Sequence, residues 1–160
     1  MQKPPLNHPP PPERERTDGS GHPFDIVPFN IAAYGEARAL WMSCEGVGLS
    51  EADTEEVIRT YLKRNPGLSF AARAGGRLVG TILGGHDGRR GYMYHLAVDA
   101  AWRRQGIGRR LADECLKALK KAGIEKIHVF VYTENASGLA FWEAAGWTRR
   151  TDIHAVSMIP

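Results

Sequence analysis

The 160-residue sequence predicts an α/β (α+β) domain, a mixed central β-sheet flanked by about four helices. Three observations predict it. Apolar residues recur at helical spacing as far as Leu62, and from Leu68 they switch to the short runs expected of strands. Gly75-Gly76 separates two such runs as a two-residue turn, which makes that pair an antiparallel hairpin. A helical stretch then separates the run Tyr92 to Val98 from the run beginning at Ile124, and a helical crossover joins parallel strands.

The elements follow in order. Residues 1–23 hold Pro4, Pro5, Pro9 to Pro12 and Pro23 without apolar periodicity, so a disordered or polyproline-like tail is expected, with the folded domain over 24–160. Phe24 to Pro28 reads as a first strand. Asn30 is a helix N-cap before the stripe Ile31, Tyr34, Ala37, Trp41 and Cys44. Gly46 and Gly48 break that helix, Ser50 with Glu51 and Asp53 starts a second through Val57, Ile58, Tyr61 and Leu62, and Pro66-Gly67 closes it. The hairpin strands come next, then a glycine-rich turn, His86 to Gly91, and the strand Tyr92 to Val98. The helix Ile107 to Lys121 carries Leu111, Cys115, Leu116 and Leu119 on one side, with lysines at its C-terminal end. Ile124 to Thr133 is β-branched and aromatic, hence a strand; Asn135 starts a short helix, Ala136 to Ala145, stopped by Gly146. Trp147 to Arg150 and Ile153 to Ile159 complete the chain as two strands.

Composition narrows the function. With 42% hydrophobic residues the chain can build a core without metal or disulfide staples. A formal charge of +3 is too mild for a nucleic-acid partner. The two cysteines, Cys44 and Cys115, both sit in apolar helical patterns and read as buried free thiols of a reducing compartment. No metal-ligand cluster is visible. Without an apolar run of ~20 residues or a secretory h-region, no membrane association is expected and the location is cytoplasmic.

The turn between Val98 and Leu111 reads as an anion cradle. Gly106 and Gly108 remove Cβ atoms where a phosphate would approach the backbone, Arg103, Arg104 and Arg109 surround the turn, and a helix N-terminus follows. Together with Leu96-Ala-Val-Asp99 and with Asn135 followed by Phe141-Trp-Glu-Ala-Ala-Gly-Trp147, this turn resembles the GNAT superfamily of acyl-CoA-dependent N-acetyltransferases from about residue 24 onward. The small bacterial type related to ribosomal-protein alanine acetyltransferases is the most similar.

The resemblance implies a GNAT fold in which the strand of Tyr92 to Val98 splays from its parallel neighbour and admits the pantetheine arm of acetyl-CoA, with no metal. Leu96, Ala97 and Val98 would pair with pantetheine, a backbone N–H near Leu96 would polarise the thioester carbonyl, and Arg103, Arg104, Gln105, Gly106, Ile107, Gly108 and Arg109 would hold the diphosphate. Asn135 matches a cofactor-contacting position and is equally a plain N-cap. The activity implied is direct attack of a primary amine, from a small molecule or a protein N-terminus, on the thioester. Many relatives form homodimers through their last strands.

The sequence departs from the family where proton transfer is concerned. Trp142 stands in place of the usual thiolate-protonating tyrosine and reads as packing against pantetheine or the core. Phe130 stands where some members carry a glutamate base. Tyr94 and Tyr92 share one face of their strand and become the catalytic candidates, Tyr94 ordering a water chain or supplying the thiolate's proton. His95 is a third candidate, but strand alternation turns it to the opposite face. Those departures leave a second class open, a noncatalytic acyl-CoA-binding sensor.

Overall fold

The computed structural model describes residues 23–160, and the tail expected over residues 1–23 lies, but for Pro23, outside the described residues. The chain divides into a larger compact unit ending at Val129 and a smaller one, Phe130–Pro160. The larger unit is built on a five-stranded sheet in the order β1 (Asp25–Pro28), β2 (Phe70–Ala74), β3 (Arg77–His86), β4 (Gly91–Val98) and β5 (Ile127–Val129). All neighbours are antiparallel except β4 and β5, which are parallel as the helical crossover requires.

Helices α1 (Tyr34–Ser43) and α2 (Glu55–Arg64) cover one face of the sheet and α3 (Ile107–Lys121) the other. Two adjacent glycines of β3 show the division. A Cβ on Gly85 would meet the Tyr61 hydroxyl of α2 at 2.5 Å, whereas one on Gly84 would meet Cys115 Sγ of α3 at 2.5 Å. Under α1 the core gathers Phe29, Ala37, Leu40, Trp41, Ile58, Leu83 and Ala97; Leu111, Cys115 and Leu119 are buried on α3. Cys44 and Cys115 are both buried free thiols.

Local chemistry explains most helix boundaries. Asn30 Oδ1 accepts from Ala32 N at 2.9 Å and opens a 3-10 turn that runs into α1. Ser50 and Asp53 form the capping box that the sequence suggests, yet the box opens only the 3-10 turn Glu51–Asp53. Thr54 returns to extended backbone, and α2 starts at Glu55 with acids in its first turn and Lys63 and Arg64 in its last.

Glu36 of α1 clamps the helix to the sheet by accepting from Arg73 Nη2 at 2.9 Å and from the backbone of Leu78 at 3.1 Å. The hydrogen bond from Arg73, helped by that from Leu78, holds its carboxyl below the ordinary range despite an opposing contribution from burial. A carboxyl with a depressed folded-state pKa stabilises the fold above its unfolded pKa and loses that contribution as pH falls through the depressed value. Glu36→Gln should therefore cost about 0.5–1 kcal/mol at neutral pH, and urea titrations of the two proteins should converge in strong acid. A gap that persists there would show that the clamp does not work through charge.

Two sequence expectations are corrected. The strand expected over Ile124 to Thr133 is reduced to Ile127–Val129, because a strand persists only where a neighbour pairs with it and the register with β4 ends at Val129. In the smaller unit, α4 (Ala136–Ala144) forms as expected behind Asn135. The two strands expected over Trp147 to Arg150 and Ile153 to Ile159 are not formed. Val156, Met158 and Ile159 of that stretch are each more than 80% exposed, so apolar content there reflects no core position.

Candidate active site

The cradle is assembled from a turn and a helix start. Asp99 Oδ1 accepts from Ala101 N at 2.9 Å and caps the 3-10 turn Ala100–Trp102, while Oδ2 takes the Arg77 guanidinium at 2.6 Å. The chain then visits left-handed backbone twice, at Arg104 (φ 63°) and Gly106 (φ 82°), before α3 begins at the buried Ile107. A left-handed residue beside right-handed ones turns consecutive N–H groups toward one concavity. The first intrahelical bond runs from Arg110 N to Gly106 O at 3.0 Å, so the N–H groups of Ile107, Gly108 and Arg109 have no partner within the helix. Nothing lies within 4 Å of the position a Gly106 Cβ would take. The residues therefore fit an anion at this point: donors, a helix dipole and open space coincide.

The arginines are placed less simply than the sequence suggests. Arg103 folds back so that Nε donates to Val98 O at 3.1 Å and Nη2 lies 3.8 Å from Cys44 Sγ. Arg109 Nε pairs with Asp113 at 3.2 Å, one turn along its own helix. Gln105 Nε2 reaches Ala101 O at 3.4 Å. Arg104 is exposed and makes no hydrogen bond or ion pair among the described residues, which leaves it the least committed cation of the turn. Arg110 lies over the Phe24 ring at 4.9 Å.

Beside the cradle, β4 loses its parallel neighbour. The pairings Gly91 with Ile127, Tyr92 with His128 and Met93 with Val129 end the β4–β5 register, so Tyr94 to Val98 keep only β3 as a partner. Leu96 and Val98 are half-buried there and Ala97 is buried. The parallel ladder thus ends within the stretch where the resemblance implies that the two strands part.

The course of β4 corrects the expected orientation of His95. Between Thr81 and Leu83 the β3–β4 register shifts by one, so His95 and Leu96 both stand opposite Ile82, and His95 adopts φ 51°. Alternation is broken at this bulge. Tyr94 stands opposite Leu83 and Ala97 opposite Thr81, and Leu83 and Ala97 both belong to the core under α1. The His95 imidazole joins them, edge-on to Trp41 with ring centroids 4.7 Å apart. Histidine tolerates the left-handed region better than most residues, but no glycine marks the bulge in the sequence.

His95 Nε2 lies 2.6 Å from Asp53 Oδ1, and each side chain is only 13% exposed. Asp53 is itself fixed: its Oδ2 accepts from Ser50 N at 2.8 Å, and its backbone carbonyl accepts from the Tyr34 hydroxyl at 2.7 Å. Thr81 Oγ1 accepts from Trp41 Nε1 at 2.8 Å and donates to the His95 carbonyl at 3.0 Å. Sequence reasoning assigned Asp53 only to a helix cap; His95 lies 42 positions further along the chain, and nothing local signals the pairing.

Tyr92 and Tyr94 share a face as expected, their rings stacked at 6.3 Å, and His128 continues the row at 5.8 Å from Tyr92. Burial, with a smaller effect of neighbouring Tyr92, raises the Tyr94 pKa above its ordinary value. Its phenol is thus protonated at neutral pH, suited to giving a proton rather than taking one. Two other polar residues are engaged locally: His86 Nδ1 accepts from Gly88 N within its own loop, and the Thr133 hydroxyl holds the Glu134 carboxyl below its ordinary range. Phe130 is 65% exposed.

In the smaller unit Asn135 Oδ1 accepts from Gly138 N at 2.9 Å, so the N-cap role is realised. The buried Trp142 indole sits edge-on to Phe141 and Trp147 at 5.1 and 4.8 Å, which accounts for it as a packing residue of its own unit. Among the described residues there is no group of His, Cys, Asp and Glu side chains that could hold a metal, and no helix long and apolar enough to cross a membrane.

Comparison with known proteins gives a consistent result. Residues 34–147 match the sequence model of the acetyltransferase (GNAT) family. An acetyltransferase of Sodalis glossinidius (strain morsitans) is 33% identical over 120 residues, 75% of this chain and 84% of that protein. The fold is shared with the PaiA N-acetyltransferase of Thermoplasma acidophilum, solved in complex with coenzyme A, at a TM-score of 0.64 and 21% identity over 76% of this chain and 87% of that one. It is shared too with the ribosomal-protein-S18-alanine N-acetyltransferase of Escherichia coli, at 0.66 and 20% over 80% and 79%.

Proposed function

The chain belongs to the acetyltransferase (GNAT) family, and on that premise we propose that it transfers the acetyl group of acetyl-CoA to a primary amine by direct attack, without a covalent enzyme intermediate. The observation that carries the reading is the left-handed, side-chain-free Gly106 at the start of α3, next to the β4 segment whose register with β5 has already ended. The amides of Gln105 to Arg109, with Arg104 and Arg103, would hold the diphosphate. The free edge of Leu96 to Val98 would take the pantetheine amides as a further strand takes a ladder. Acetyl-CoA supplies an activated acyl carbon with a stable thiolate leaving group.

A backbone N–H near Leu96 would meet the charge that builds on the carbonyl oxygen. Tyr94, kept protonated by its surroundings, would give its proton to the departing sulfur. Asn135 and Trp142 are family-matched positions that would approach the cofactor in addition to their capping and packing roles. The acceptor is a small amine or a protein N-terminal amine, and the reaction is a cytoplasmic one.

The test is calorimetric titration with coenzyme A, followed by thiol release from acetyl-CoA across polyamines, amino acids, aminoglycosides and N-terminal peptides. Binding with thiol release that depends on one amine supports the reading. The replacement of the usual tyrosine and glutamate by Trp142 and Phe130 favours one rival, a sensor that binds acyl-CoA without turnover; binding with no amine-dependent thiol would establish it. Tyr94→Phe should lower kcat about tenfold with coenzyme A affinity unchanged, as expected when a general acid is lost and solvent substitutes in part. Equal turnover would remove Tyr94 from the mechanism.

A further inference from the structure

We propose that His95 is the proton acceptor for the incoming amine and that Asp53 is the residue that positions it; the inference rests on the acetyl-transfer reading above. The pair is built like a catalytic dyad. Nε2 faces a carboxylate at 2.6 Å, which holds that nitrogen as the N–H and leaves Nδ1 with the lone pair. No hydrogen bond joins Nδ1 to any described residue.

Everything around the ring serves to fix it. Trp41 packs edge-on against the imidazole, Thr81 ties the His95 carbonyl to the same indole, and Ser50 and Tyr34 anchor Asp53 from two other sides. His95 also holds a left-handed backbone conformation, a strain that elsewhere in proteins concentrates at functional sites. The bulge places that imidazole on the side of Tyr94, one residue before Leu96, the point at which the thioester carbonyl would be received.

The step balances as follows. An acceptor arriving as an ammonium gives one proton to His95 Nδ1. The nitrogen lone pair so released forms the N–C bond to the acyl carbon. The C–S bond breaks with its electron pair on sulfur, Tyr94 gives that sulfur its proton, and the second proton lost from nitrogen replaces the one on the Tyr94 phenol. His95 then returns its proton to solvent while Nε2–H stays bonded to Asp53.

The test uses His95→Asn, because asparagine accepts left-handed backbone, together with Asp53→Asn, which removes the charge at constant shape. Acetyl transfer is measured to the best alkylamine of the panel above and to methoxyamine, whose nitrogen is already neutral at pH 7. Thermal unfolding and calorimetry with coenzyme A accompany both variants. For the alkylamine, kcat should fall about 100-fold in His95→Asn and about tenfold or more in Asp53→Asn, while coenzyme A affinity stays within about twofold. For methoxyamine the loss should be less than about threefold, since no proton need be removed before attack.

An unchanged kcat with the alkylamine overturns the proposal. So does an equal loss with both amines, which would make the pair merely structural; if His95→Asn fails to fold, Asp53→Asn reads the same two outcomes. Wild-type protein that binds coenzyme A but transfers to no amine would overturn the acetyl-transfer reading itself, a result distinct from failure of the dyad.

Discussion

Gly106→Val is expected to weaken coenzyme A binding at least tenfold, about 1.4 kcal/mol, with the fold retained. The reason is conformational rather than steric within the protein. No atom lies within 4 Å of the new Cβ, but the backbone sits at φ 82°, where a β-branched residue is a genuine outlier. The chain must either bear that strain or move the turn, and moving it turns the amides of Gln105 to Arg109 away from a common point. Even an unmoved turn would place two methyl groups in the open space a diphosphate needs. Titration calorimetry reads the loss, and thermal unfolding reads separately the backbone strain, about 1–2 kcal/mol, that a non-glycine residue brings to this turn. Unchanged affinity would mean that the anion is held elsewhere.

Gly84→Ala should be strongly destabilising, by about 3 kcal/mol. A methyl there would stand 2.2 Å from the carbonyl oxygen of Leu68 and 2.5 Å from Cys115 Sγ. The oxygen is backbone and cannot rotate aside, and Cys115 is fully buried on α3 with its thiol donating to that same carbonyl at 3.2 Å. Relief requires the Leu68 backbone to shift as well as α3 to lift from the sheet. For a chain of this size the loss corresponds to a melting temperature lower by about 10 °C. A change of a degree or less would show that α3 is packed more loosely than these contacts indicate.

The two glycines also show how far the sequence could be read. Gly106 was legible because a basic, glycine-bearing turn between a strand and a helix has a local chemistry of its own. Gly84 was not, since nothing near it in sequence announces that Leu68 and Cys115 converge there. The same distinction covers the elements. The hairpin at Gly75-Gly76, the parallel crossover and the bounds of α3 follow from local pattern and chain geometry, and the structure has all three.

What was missed depends on partners distant in sequence. Ile124 to Thr133 has the composition of a long strand, but composition cannot reveal that β4 offers a register only as far as Met93. The Trp147 to Ile159 region was over-read for the same reason. At the candidate site, alternation gave Tyr92 and Tyr94 correctly and failed one residue later, because a bulge without glycine leaves no mark in sequence. Asp53 could be recognised as a cap from its neighbours but not as the partner of His95.

The extra residue in β4 has a consequence for how the protein tolerates change in length. Tyr94 and Ala97 look toward the same layer although an odd number of steps separates them, so the strand behaves as two segments half a cycle out of phase. Removing one residue here would leave two steps between Tyr94 and Ala97, so plain alternation would keep Ala97 toward α1 and the pairings of Ala97 and Val98 with β3 unchanged. A deletion at this point would thus erase only the bulge, whereas one in a regular part of the strand would invert every side chain beyond it.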